Sequence, residues 1–298
     1  KHQFKSIKTE PIEDIKIEPI EVMHYKLPVL GFKIGKFAYI TDAKTISESE
    51  KNKLKKGIDT EHVILDIIAP KERLVATIIQ SLQTSLGQKL WEKLTVELAK
   101  QNSFEICDKK LFYAPKTNFF NQTISEWKSK RENNENITLD GYVEDLIKKI
   151  KEFKKNNKDV KKIKPQKGDG LDVWLKKDNI NYLLELKSPH LNAGNGNDFS
   201  QKLMKHYLYH LFWQPNSKVI AQLSIPYNPF DEPYELAEKG RISPLIKDKD
   251  YLVDNDFWKF ITGNDNAMSI IKESVHELKD KGELYEKIDS LIKHFSGI

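Results

Sequence analysis

In residues 179–196, NINYLLELKSPHLNAGNG, an acid and a lysine, Glu185 and Lys187, stand two positions apart at the end of an apolar run. Side chains alternate along a strand, so both project from one side, roughly 7 Å apart along the backbone. A second acid, Asp172, is embedded in GLDVWL, and a hairpin turning around 177–179 would set it beside Glu185. Two carboxyl groups held together repel, which raises one pKa unless a cation sits between them. Mg²⁺ suits that place: it takes one or two carboxylates, a carbonyl, water and substrate phosphate oxygens. Here the carbonyl would be that of Leu186, between the acid and the lysine. A lysine beside such an ion can orient a water or stabilise charge while the ion lowers the water's pKa. The chemistry suits hydrolysis of a phosphodiester.

The spacing alone is cheap in a lysine-rich chain. An acid two residues before a lysine recurs at Asp14, Asp42, Asp108, Glu152, Asp159 and Glu277. Glu152, Asp159 and Glu277 lie in charged surroundings, Asp108 has weak strand context, and Asp42 ends a strand whose neighbour VLGFKI offers no partner acid. At Asp172, Glu185 and Lys187 a salt bridge on the rim of a sheet is the competing explanation, and the pattern leaves both open.

The elements that must position these groups can be read from periodicity. Residues 1–69 are strand-rich: IKIEPIEVMH, PVLGFKI and KFAYITD are apolar runs separated by Pro and Gly, followed by a short helix in ISESEKNKLKKG and a strand in EHVILDI. From Arg73 to Asn102 the four-residue spacing of Leu82, Leu86, Leu90, Leu94 and Leu98 predicts a long amphipathic helix, which Gly87 bends or interrupts. A domain boundary is placed near Pro70. A short strand in SFEICDKKLFY, a helix over 139–153, the GLDVWL–INYLLELK hairpin, a helix in DFSQKLMKHYLYHLFW and a buried strand in SKVIAQLSI follow. The tail, 267–295, reads as two helices broken near Gly282.

Composition bounds the partners. The 298 residues carry 39% hydrophobic and 31% charged side chains, enough for a substantial core. No apolar run reaches the roughly 18 to 20 residues that span a membrane, and no signal peptide opens the chain. The single cysteine excludes an internal disulfide or a cysteine-rich zinc site, which fits a cytoplasmic location. The chain begins at Lys1 rather than Met, as is expected of a fragment or a trimmed product. Net charge is only +5, but residues 148–167 hold ten lysines against two acids. That run is either a solvated surface or one that attracts phosphate.

Asp172, followed after twelve residues by Glu185-Leu186-Lys187, resembles the signature of the PD-(D/E)XK nuclease superfamily, with Leu171 where the motif often has Pro. Residues 74–262 are similar to the TdeIII-type restriction endonucleases in IIQSLQTSLGQKLWEKL, GLDVWL, YLLELKSPHLN and QLSIPYNPFDEPY, and DNDFWKFITG resembles that family's ending. The resemblance implies an α/β fold, a PD-(D/E)XK restriction-endonuclease-like core with a mixed sheet flanked by helices, and an N-terminal β-rich appendage. It implies Mg²⁺-dependent, sequence-specific cleavage of double-stranded DNA by a homodimer, with Asp172 and Glu185 as metal ligands and Lys187 assisting the water. Glu92, in LWEKL, matches an acid that many such nucleases carry on the helix before the sheet; an exposed helical glutamate is the plain alternative. His190 and Asn192 follow the motif closely enough to reach a phosphate. The next helix presents Gln201, Lys202, Lys205 and His206 on a polar side, which would contact phosphate or simply face solvent.

The front segment resembles a different family. VMHYKLPVLGFKIGKFAYITDAKTIS is similar to an internal stretch of PhnP-type metallo-β-lactamase-fold phosphodiesterases, where Asp42 would bridge two metals and His24 would lie near them. The HxHxDH motif of those enzymes is absent. Residues 1–69 are therefore expected to be an incomplete segment, and residues 70–298 the nuclease domain. Two rivals stand beside this reading. One is a metallo-hydrolase acting on small phosphodiesters through the front segment; the other is a non-catalytic DNA-binding module on a nuclease fold.

Overall fold

The computed structural model describes residues 90–134, 136–157, 159–282 and 286, together with the backbone of three strands between positions 17 and 40. Two compact units are distinguished: Lys1–Leu94 with Lys272–Ile298, and Thr95–Ile271. In the first, β1 (Ile17–His24), β2 (Leu27–Ile34) and β3 (Phe37–Ile40) form an antiparallel meander. His24 closes β1 opposite Leu27. These are the three strands expected from the apolar runs. Asp42, the segments ISESEKNKLKKG and EHVILDI, and most of the helix expected over 73–102 lie outside the described residues. So does most of the second tail helix.

After α1 (Trp91–Gln101) the second unit continues with β4 (Glu105–Ile106), β5 (Ala114–Pro115), α2 (Asn121–Asn133), α3 (Leu139–Asn156), β6 (Lys162–Ile163), β7 (Val173–Lys177) and β8 (Ile180–Leu186). Then come α4 (Asn195–Trp213), β9 (Lys218–Ile225), the single turns α5 (Tyr234–Ala237) and α6 (Lys239–Ile242), β10 (Tyr251–Val253) and α7 (Asp254–Thr262); only the start of α8 (Ala267–Asp280) belongs to this unit. Five strands form one mixed sheet in the order β10-β9-β8-β7-β4, while β5 and β6 pair as a separate ribbon.

Local chemistry explains the hairpin at the sheet's centre. Asp178 and Asn179 take φ of 50° and 61°, the left-handed pair that a two-residue turn needs, and Asp and Asn tolerate that region better than other side chains with a Cβ. The turn fixes an antiparallel register from Lys177↔Ile180 to Val173↔Leu184. β8 is covered on both faces, as the run of Leu183 and Leu184 requires. β9 runs parallel to β8, so the chain must cross over, and α4 is that crossover.

One face of the sheet carries Trp174 and Leu183 toward α4, with the Trp174 and His210 rings 5.5 Å apart. The opposite face carries Tyr182 against Phe104 and against Phe260 of α7. α4 is itself covered, by α2, α3 and the β5–β6 ribbon. It therefore buries Phe199, Leu203, Met204, Tyr207, Leu208 and Leu211 around most of its circumference. This corrects the expected polar side at one position. His206 is fully buried, its Nε2 3.2 Å from the Gly170 carbonyl, and burial pushes its pKa down to about 3.

A buried ion pair ties the elements behind α4. Arg131 of α2 pairs with Asp250 and also donates to Ser200 Oγ (2.8 Å), Pro244 O (3.0 Å) and Ile137 O (3.0 Å). Buried charge is tolerable only when paired and hydrogen-bonded to this extent.

Candidate active site

Extending the hairpin register one step past Val173↔Leu184 sets Asp172 opposite Glu185. Cross-strand neighbours have Cβ atoms about 5 Å apart, so the two acids expected to meet do meet. Asp172 immediately precedes β7 and Glu185 is the penultimate residue of β8, both on the face that α4 covers. Asp172 Oδ2 accepts the Leu186 N–H at 2.8 Å, which fixes one acid's carboxyl to the other acid's strand.

Glu185 is 6% exposed. Its Oε1 receives Lys202 Nζ at 2.5 Å, while its Oε2 is buried without a hydrogen-bond partner. Burial first, and the charge of Asp172 second, push its pKa up to about 8, with Lys202 pulling the other way. An acid in that condition binds a proton or a cation readily. Lys187 leaves the same face two residues on, its Nζ 5.5 Å from the ring centre of Phe199 at the start of α4, and its N–H donates to Ser224 O at 3.0 Å. Lys109 adds a further ammonium, 2.9 Å from the Asp172 backbone carbonyl.

The donor set fits a hard divalent cation. Two carboxyl groups and the Leu186 carbonyl can supply oxygens, and Mg²⁺ completes its shell with water and phosphate rather than with a full protein cage. Among the described residues no group of three or more His, Cys, Asp or Glu converges as a metal cluster.

The remaining candidates fall in different places. Lys202 and Lys205 do not stand free on a polar surface: Lys202 donates to Glu185, and Lys205 holds both oxygens of Asp169 at 2.9 Å. No local pattern signals either partnership, because each joins a helix to a segment distant in the chain. Gln201, half-buried, precedes Lys202 on α4. His190 is exposed with its ring 5.6 Å from Phe230. Asn192 is exposed in the turn that starts α4, its N–H donating to Asn195 Oδ1 at 2.7 Å. Beneath that loop Tyr234 donates to Pro189 O at 2.5 Å, giving PYNPF and the turn after it a role in holding the segment behind the motif. Glu92 lies in the first turn of α1, in the other unit from Asp172 and Glu185.

Known proteins share much of this chain. A family model described as "Type II restriction endonuclease, HinfI" matches residues 39–279, most of the chain and across position 70. The type II restriction enzyme MjaII of Methanocaldococcus jannaschii is 24% identical over 296 residues, covering 93% of this chain and 72% of that protein. A 44-residue stretch is 46% identical to part of an octanoyltransferase from Porphyromonas gingivalis, covering 15% of this chain and 9% of the relative. No solved structure matches the chain. No helix among the described residues is long and apolar enough to cross a membrane.

Proposed function

The chain belongs to the HinfI family of type II restriction endonucleases, and from that membership we propose that it hydrolyses phosphodiester bonds in double-stranded DNA at a specific sequence, with Mg²⁺ held by Asp172, Glu185 and the Leu186 carbonyl. Its motif order resembles that of the TdeIII-type enzymes, and from that resemblance we read its core as of the PD-(D/E)XK kind. The observation that carries the proposal is the state of Glu185: a buried carboxyl facing a second acid, with one oxygen left without a partner. A structural salt bridge has no use for that second acid.

When bound, Mg²⁺ would supply Lewis-acid activation of water and of a phosphate oxygen. The protein's own groups do the positioning. The Leu186 N–H locks the Asp172 carboxyl in place. Lys202 holds one oxygen of Glu185 and leaves the other available. Lys187, on the same face as Glu185, orients the attacking water or stabilises charge developing on the phosphate. His190 and Asn192, exposed just beyond the motif, are proposed to contact the DNA backbone, together with Gln201 of α4. Glu92 is proposed as an auxiliary acid. A two-fold homodimer would match a symmetric duplex site.

Incubation with plasmid and phage DNA in Mg²⁺ tests this directly. Discrete fragments are expected from the wild-type protein, and intact DNA from Asp172→Asn or in EDTA. Uncut DNA across many substrates, or fragments undiminished in Asp172→Asn, would refute it.

A further inference from the structure

The lysine-rich run of the sequence has a definite course in the fold. It leaves α3, forms β6, and reaches Asp172 through residues 164–171, alongside α4. One end of this path is pinned to the last turn of α4. Trp213 Nε1 donates to Tyr113 O at 2.8 Å, and Lys162 Nζ lies 5.2 Å from the Trp213 ring centre and 5.6 Å from that of Tyr113. The other end is pinned to the middle of α4, by Lys205 on Asp169 and by His206 on the Gly170 carbonyl. Two residues later the chain arrives at Asp172, beside the Glu185–Lys202 pair.

Lys116, Lys161, Lys162, Lys164 and Lys167 are exposed along this path. Lys116 joins it across the ribbon, its N–H donating to Lys161 O at 2.9 Å. None of the five pairs with a carboxylate among the described residues. Between residues 157 and 170 the acids are Asp159 and Asp169, and Lys205 takes Asp169. Lys202 and Lys205, close to the site, are each bonded to a carboxyl, whereas the lysines leading to it are not. Like charges gathered this way repel one another in the free protein, and a polyanion relieves that repulsion.

We propose that the β5–β6 ribbon and residues 164–167 form a lysine rail that holds the phosphates of duplex DNA and leads them to the active site. Along α4, Trp213 to Lys202 is eleven residues, a rise of about 16 Å. At one phosphate per 3.4 Å of axis on each strand, the rail is matched to about five phosphates. The inference rests on the nuclease reading for what lies at the end of the rail. It adds where the backbone is gripped, with contacts that carry no base information.

Binding of a labelled duplex of about 30 base pairs, measured by anisotropy in EDTA over a range of KCl concentrations, tests the rail separately from cleavage. K161A/K164A/K167A should fold as wild type by circular dichroism. Its log Kd against log salt should be shallower by about 0.9 for each phosphate no longer neutralised, approaching 2.7 for three. In Mg²⁺ at subsaturating protein it should cut more slowly than wild type. K218A/K249A/K259A, three exposed lysines off the path, should keep the wild-type slope. A rail variant that binds with wild-type affinity and slope overturns the rail and leaves the nuclease reading standing. A wild-type protein that neither binds nor cuts duplex overturns both.

Discussion

Replacing Glu185 by Gln removes the carboxyl that can ionise at the proposed metal site while keeping the side chain's shape. In the metal-free protein the folded-state pKa of Glu185 is raised from 4.5 to about 8. The folded state therefore keeps a proton that the unfolded state has lost, and stability falls as pH rises from about 4.5 to about 8, then levels off. The slope reaches about 1.4 kcal/mol per pH unit, and the whole window amounts to about 5 kcal/mol at most. In E185Q that contribution is absent. Urea unfolding in EDTA at pH 5.5, 6.5 and 7.5 should show wild type losing stability relative to E185Q by about 3 kcal/mol across the two units. Taking the difference between the two proteins cancels groups common to both, such as the buried His206 and His210. Millimolar Mg²⁺ should remove the fall in wild type, because the ion binds the ionised carboxyl in the folded state alone, and should leave E185Q unmoved. Parallel pH profiles for the two proteins in EDTA would refute the argument that Glu185 is held poised for a cation.

Three further outcomes follow from the same geometry. Lys187→Ala should lower single-turnover cleavage by about 10²–10³ while leaving duplex affinity within a few-fold, a split read by comparing rates with anisotropy. Arg131→Met strands Asp250 as an unpaired buried acid and should cost about 3–5 kcal/mol in urea unfolding. Gly196→Ala would bring a Cβ to 2.0 Å from Ser243 O and 2.5 Å from Ile242 O, both backbone atoms, and should cost about 3 kcal/mol by forcing α4 away from α6.

The central hairpin is legible in the sequence because its signals are local. Apolar runs flank Asp178-Asn179, and a period of two then sets Asp172 across from Glu185. The crossover helix and β9 are legible for the same reason. The short parallel edge strand β10 is not, since Tyr251–Val253 is three residues long and is defined by its neighbour β9 rather than by any pattern of its own. Helix α4 reads as two-sided, which puts His206 on the wrong side. A helix covered by other helices as well as by a sheet loses the polar stripe on which such a reading depends. Lys202 and Lys205 are recognisable as cations near the motif, but their partners, Glu185 and Asp169, are fixed only by tertiary packing. The membership in a type II restriction endonuclease family agrees with the resemblance carried by GLDVWL and YLLELKSPHLN. Those segments carry Asp172, Glu185 and Lys187.

The most direct test is a crystal of the DNA-cleaving protein soaked in Mn²⁺, with the ion located by its anomalous scattering. A peak is expected about 2 Å from a carboxyl oxygen of Asp172 and from one of Glu185, with Lys202 displaced from or sharing the latter. An ion bound elsewhere in protein that cleaves DNA, with these two carboxyl groups left without it, would contradict the assignment of both acids.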